Sequence, residues 1–210
     1  VRTLAPPVLP VLDVGEHEGR PYFTMPLITS GTLADRVDRT AGLPYARVRP
    51  WAADLLAALA YLDRAGVVHR DLKPTNILIE VDDHAAFTRE TVWLSDFGVA
   101  RGDDDVGLTQ TGEAVGTRCY AAPEQLQRGA VDGRADVYAL AVVLHELLTG
   151  HPPTERPGKG IAGPVGHLLE AMGAPDPADR LTASEALARL PAVDAAPLTP
   201  TLRRGQTWRL

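Results

Sequence analysis

The sequence predicts an α+β protein, mainly helical, with a small sheet at its front. Three observations carry this. Short apolar runs at residues 9–14 and 20–27 are separated by Gly15-Glu16-His17-Glu18-Gly19, a hairpin pattern. In residues 45–65, Val48, Trp51, Leu55, Leu59 and Leu62 fall three or four apart, with Ala52 and Leu56 widening the stripe, so this stretch is an amphipathic helix closed by Gly66. The middle of residues 132–150 is apolar around nearly the whole circumference, as in a helix buried on all sides.

Composition sets the bounds. With 210 residues the chain can bury one substantial core, or one domain and part of another. Hydrophobic residues at 45% and charged residues at 23% are those of a soluble globular protein, and the net charge of −6 argues against a nucleic-acid partner. The single cysteine, Cys119, permits no internal disulfide and fits a reducing, cytoplasmic setting, where it is expected to be a small packing residue. No run of about 18 apolar residues and no signal-peptide pattern occurs, so no membrane segment is expected.

Taken in order, residues 1–12 are too rich in proline (Pro6, Pro7, Pro10) for a helix beyond Leu4. The hairpin and the amphipathic helix follow. Next comes Val67-Val68-His69-Arg70-Asp71-Leu72-Lys73-Pro74-Thr75-Asn76-Ile77-Leu78-Ile79, a polar loop between two apolar anchors. Residues 77–80 and 92–94 read as a strand pair joined by an acidic surface insertion at 81–91, and Ser95-Asp96-Phe97-Gly98 follows the second strand. Residues 102–113 are polar, with Thr109 and Thr111 expected on the surface, and lead to Gly116-Thr117-Arg118-Cys119-Tyr120-Ala121-Ala122-Pro123-Glu124. Beyond the buried helix, residues 154–164 are short, polar and rich in Gly and Pro; residues 165–172 and 183–190 read as the last two helices. From Pro191 onward Pro, Ala and Thr dominate, and order is doubtful.

These motifs resemble those of a protein kinase. His69-Arg70-Asp71 with Asn76 matches the catalytic-loop pattern H-R-D-x-x-x-x-N, and Lys73-Pro74 resembles the serine/threonine branch. Small-molecule phosphotransferases share an H-x-D-x-x-x-x-N loop but lack the Gly116-to-Glu124 element, which is similar to the end of a serine/threonine kinase activation segment. A lone Asp-Phe-Gly is weak; placed after the loop, with a strand pair between, it is strong. Phosphoryl transfer is mostly positioning and charge neutralisation.

The resemblance implies that Asp71 accepts the substrate hydroxyl proton, Lys73 lies near the transferred phosphate, and Asn76 and Asp96 hold Mg²⁺ against ATP. Phe97 is then a packing aromatic and Gly98 supplies an unusual backbone conformation; Thr117 bonds Asp71 and Lys73. Met25 falls at the gatekeeper position, the backbone of Pro26 and Ile28 faces the adenine edge, and Leu78 lies beneath the ring. Asp136 binds backbone N–H groups of the loop, Arg180 pairs with Glu124, and His145 lies on the less buried side of its helix. Arg70 is placed to pair with a phosphorylated Thr109 or Thr111.

The implied organisation is a small-lobe remnant and hinge at 1–28, opening on the tail of helix C at Val1-Arg2-Thr3-Leu4, a large lobe at 29–190 with helix G reduced, and a tail at 191–210. The abundance of Ala, Arg, Gly and Pro has a bacterial flavour. No G-x-G-x-x-G loop and no V-A-I-K-type lysine precede the hinge. Two expectations follow: a serine/threonine kinase fragment acting on a protein substrate, its open hinge side covered by a small lobe or a partner, or a non-catalytic kinase-like module that binds proteins.

Overall fold

The computed structural model describes residues 6–82, 89–96, 117–127 and 129–193. Its elements run β1 (Asp13–His17), β2 (Arg20–Thr24), α1 (Tyr45–Arg64), β3 (Ile77–Asp82), β4 (Arg89–Leu94), α2 (Pro123–Leu126), α3 (Gly133–Thr149), α4 (Gly163–Met172) and α5 (Ala183–Ala188). Single 3₁₀ turns stand at Leu33–Arg36, Pro74–Asn76 and Thr117–Tyr120.

The front hairpin is tighter than its sequence suggests. β1 and β2 pair from Asp13↔Thr24 to His17↔Arg20, leaving only Glu18 and Gly19 in the turn, with φ of 51° and 73°. Two consecutive positive φ values match the twist of the flanking strands, so pairing continues through Gly15 and His17. The first strand begins at Asp13, not within 9–12. Residues 7–9 lie instead along β4, where Leu9 N–H donates to Leu94 O and Leu94 N–H to Pro7 O, each at 2.9 Å. Pro6, Pro7 and Pro10 lack N–H groups, so this stretch lends isolated bonds and no ladder.

β3 and β4 pair from Ile77↔Leu94 to Asp82↔Arg89, further than the expected 77–80 and 92–94. The acidic residues assigned to a long insertion are partly ladder residues of a half-buried ribbon. Glu80 is exposed and accepts the Trp93 Nε1–H at 2.9 Å, while Ile77, Ile79, Val92 and Leu94 share the buried face. Residues 83–88 of the connector lie outside the described residues, as do residues 1–5, where the tail of helix C was expected.

The core forms where α1 meets α3 and α5. Every apolar position that predicted α1 is buried. α3 is buried along most of its length; Asp132 caps it by accepting the Arg134 N–H at 2.9 Å, and Gly150 ends it with a φ of 85°. His145, expected on the less buried side, is only 7% exposed, because the following loop folds back and its Gly158 N–H donates to His145 Nδ1 at 3.1 Å. Among the described residues no helix lies between α3 and α4, in keeping with the shortened region read at 154–164. α4 starts two residues earlier than expected, with Pro164 in its first turn, where a missing N–H costs nothing. Order also runs past residue 190: Pro191 O accepts from Tyr45 Oη and Arg49 Nε, each at 2.8 Å, which ties the end of α5 to α1. Residues 194–210 lie outside the described residues.

Candidate active site

The loop between α1 and β3 is held from below by α3. Asp136 is 2% exposed; its Oδ2 accepts the His69 N–H at 2.7 Å and its Oδ1 the Arg70 N–H at 2.9 Å. Burial pushes this carboxyl above the usual range, and the two backbone bonds pull against that. The His69 ring is fully buried. Its Nδ1 accepts the Asp71 N–H at 3.3 Å, so Nε2 carries the proton and donates to Ser95 O at 2.8 Å. Arg70 stands at a φ of 66°, uncommon for a side-chain-bearing residue. Bonds on both sides of it hold this backbone: Asp136 takes its N–H, and Gln125 Nε2 donates to its carbonyl at 3.0 Å.

This anchoring brings three predicted residues together. Lys73 Nζ lies 2.8 Å from Asp71 Oδ2, and Asn76 Nδ2 donates to Asp71 Oδ2 at 3.1 Å and to Asp71 O at 2.8 Å. Oδ1 of Asp71 receives no bond from a described residue. Because the Asn76 amide nitrogen is spent on Asp71, its oxygen is the atom left to serve a ligand, beyond a long 3.4 Å contact from Thr75 Oγ1. Ser95 ties the end of β4 to the same loop, donating to Asn76 O through its N–H and its Oγ, each at 3.0 Å. Asp96 follows, exposed, with a φ of 56°.

At the next layer, Glu124 and Arg180 form a buried pair, with Nη1 2.6 Å from Oε1 and Nη2 3.0 Å from Oε2. The remaining Arg180 donors go to Ala174 O, Arg134 O and Pro175 O, and its guanidinium lies 5.0 Å from the Tyr138 ring centroid. Burial raises the Glu124 carboxyl, but the bonds from Arg180 and the backbone outweigh it and hold the group below its usual range.

Residues 25–29 form no element, and no backbone hydrogen bond from another described residue reaches them. Met25 is 40% exposed, and Leu78 is half-buried on β3, bridged to Thr32. Phe97, Gly98, Thr109 and Thr111 lie outside the described residues, and so does the expected contact of the Thr117 side chain. Cys119 is exposed, which corrects its reading as a packing residue: the short turn it occupies lies on the surface.

The description "Protein kinase domain" belongs to a family model that matches residues 2–163. The chain belongs to the protein kinase family. Its relatives place it in the Hanks-type serine/threonine branch. It is 41% identical over 164 residues to the serine/threonine-protein kinase PknJ of Mycobacterium tuberculosis, covering 78% of this chain and 27% of the relative. It is 43% identical over 152 residues to PknD of the same species, covering 72% and 22%. The crystal structure of the M. tuberculosis PknI kinase domain aligns with a TM-score of 0.69 and 26% identity, over 90% of this chain and 72% of that one. The chain thus spans about a quarter of the length of the two sequence relatives. The non-catalytic alternative finds no support in these comparisons.

Several residues that build this candidate site were missed by the sequence reading. Ser95 stood in the Ser95-Asp96-Phe97-Gly98 stretch without a role, and Gln125 lies one residue beyond the Gly116-to-Glu124 motif. Glu146 is 1% exposed; its Oε1 lies 2.7 Å from Arg39 Nη1, and its Oε2 accepts the Tyr120 hydroxyl at 2.6 Å. A carboxylate inside an otherwise apolar helix was the available signal, since such a group is kept only with partners.

Proposed function

We propose that this chain carries the phosphotransfer loop of a serine/threonine protein kinase, moving the γ-phosphoryl group of ATP to a protein hydroxyl. The supporting observation is the convergence of Lys73 and Asn76 on Asp71 Oδ2, which leaves Oδ1 open. In this reading Oδ1 takes the proton of the acceptor hydroxyl as its oxygen attacks the γ-phosphorus; the bond to the β-phosphate oxygen breaks and ADP leaves. Lys73 holds the Asp71 carboxylate in place and sets a positive charge beside the transferred group. The Asn76 oxygen and the exposed Asp96 carboxylate are hard donors suited to Mg²⁺. Bound there, Mg²⁺ neutralises charge on the phosphates. The backbone at Pro26 and Ile28, which takes no backbone hydrogen bond from another described residue, fits an adenine edge, with Met25 at the gatekeeper position and Leu78 beneath the ring.

The domain division belongs to the same reading: hinge and small-lobe remnant at 1–28, large lobe from 29. Val14, 70% exposed, and its cross-strand partner Phe23, 44% exposed, share one apolar face of the hairpin, and Leu27 beyond it is 87% exposed; this exposure fits a cover of further polypeptide, a small lobe or a partner. Among the described residues no helix is long and apolar enough to cross a membrane.

Incubation of the full-length polypeptide and of this chain with Mg²⁺, ATP and protein substrates tests the proposal. Phosphoserine or phosphothreonine that disappears in Asp71→Asn is the expected result. No transfer by the full-length polypeptide, or transfer unaffected by that substitution, overturns it.

A further inference from the structure

α2 is a single helical turn, and the residue before it, Ala122, has no side-chain oxygen with which to cap it. Gln125 reaches back instead: its Oε1 accepts the Ala122 N–H at 2.9 Å. That bond settles which end of the amide is which, because a backbone N–H needs the oxygen. The other end, Nε2, donates to Arg70 O at 3.0 Å, 55 residues earlier in the chain. One half-buried side chain thus joins the end of the 117–127 segment to the loop that carries Asp71.

The carbonyl that Gln125 meets follows the left-handed residue of the loop, Arg70 at a φ of 66°. The peptide unit from Arg70 to Asp71 is held at both ends, its carbonyl by Gln125 and its N–H by His69 Nδ1 at 3.3 Å. The second bond is long, so the first carries much of the restraint. Asp136 takes the two preceding N–H groups, while Lys73 and Asn76 hold the Asp71 carboxylate. Neither set orients this peptide unit. Gln125 is itself anchored, since the adjacent Glu124 is buried against Arg180 at 2.6 and 3.0 Å.

We infer that Gln125 is a positioning residue for phosphoryl transfer, its amide fixing the Arg70–Asp71 peptide unit and with it the aim of Asp71 Oδ1, an assignment that rests on the transferase reading of this loop. It acts through Asp71 alone. The task needs one acceptor and one donor on the same planar group, which a glutamine supplies. An ionised carboxylate of the same size keeps the Ala122 bond but sets a negative charge against the Arg70 carbonyl. A protonated one again carries a donor and meets both partners.

The test compares the full-length polypeptide with its Gln125→Glu variant, using Mg²⁺, ATP and a threonine peptide. At about pH 8 the variant is expected to lose about tenfold in kcat, the scale of a misaimed reacting group, with KM for ATP and peptide within about twofold. The ratio of variant to wild-type kcat should rise toward about pH 5.5 as the introduced carboxylate takes a proton. Amide exchange across residues 69–72 should quicken in the variant at the higher pH. If Gln125 served only to cap α2, none of these would change, because the Ala122 bond survives. Wild-type kcat in the variant at pH 8, a loss confined to KM, or a ratio that does not rise with acid overturns the assignment. Should Gln125→Glu not fold, Gln125→Met takes its place: kcat must fall with KM kept, or the assignment fails. If the wild type transfers nothing, the transferase reading falls, and exchange alone decides whether Gln125 holds the loop: faster in the variant upholds it, unchanged overturns it.

Discussion

The backbone N–H of His69 donates to Asp136 Oδ2 at 2.7 Å, joining the central helix to the loop that carries Asp71 across 67 residues of chain. The same carboxylate takes the Arg70 N–H and so helps keep Arg70 at positive φ. Asp136→Asn keeps one acceptor and sets an amide donor against the other N–H. That leaves a buried N–H unsatisfied, so stability should fall by about 2–3 kcal/mol. Urea denaturation checks this; an unchanged midpoint would show that the loop is held by other contacts.

Arg180 spends every guanidinium donor, two of them on Glu124. Lysine offers a point charge and cannot reproduce the fork. Arg180→Lys keeps the charge but leaves several of these buried acceptors without a donor, and should cost about 2 kcal/mol. A double-mutant cycle with Glu124→Gln should show clear coupling, and additive losses would mean that the pair acts only through packing.

Asp96 supplies an exposed carboxylate beyond β4, and a neutral amide is a weaker ligand for a hard cation. In the full-length polypeptide, Asp96→Asn should lower turnover by about 10²-fold or more, a loss that saturating Mg²⁺ does not restore. Near-normal turnover in that variant would count decisively against the metal-binding role.

Stability should fall with pH in two steps. Burial holds the His145 ring below its ordinary pKa, so unfolded chains take up the proton first. The stability this gives is complete above about pH 6.5, the unfolded value, and is lost as pH falls from there through the lower folded value. Protonation at Nδ1 would also break the bond from Gly158. Glu124, net lowered by its Arg180 bonds against the opposing effect of burial, contributes stability that is present above the usual carboxylate range and lost as pH falls through its depressed folded value. His145→Asn should flatten the first step and Glu124→Gln the second in denaturation series across pH.

For the 210-residue chain by itself, weak ATP binding and little transfer are expected, because its sequence offers no glycine-rich cover and no strand lysine for the phosphates. Loss of a preorganised cation at a transferring phosphoryl group lowers the rate by about 10² or more. Calorimetric titration of ATP with Mg²⁺ is the measurement; micromolar binding with robust phosphorylation would show this architecture to be self-sufficient.

What the sequence determined by itself was the family, the clustering of the loop's polar residues and most of the elements. Asp71, Lys73 and Asn76 are close in sequence, so their spacing alone requires that they converge once apolar residues anchor both flanks. α1 and α3 were legible for a similar reason, since helical periodicity is a local property. The tertiary structure decided what depends on contacts distant in sequence: the pairing of residues 7–9 with β4, the ladder that absorbed part of the supposed insertion, and the burial of His145 under the loop that carries Gly158. Above all it decided the fate of Glu146, a lone charge in an apolar helix whose partner Arg39 stands 107 residues away. Burying a carboxylate requires a partner, and local sequence cannot say which residue the fold will bring to it.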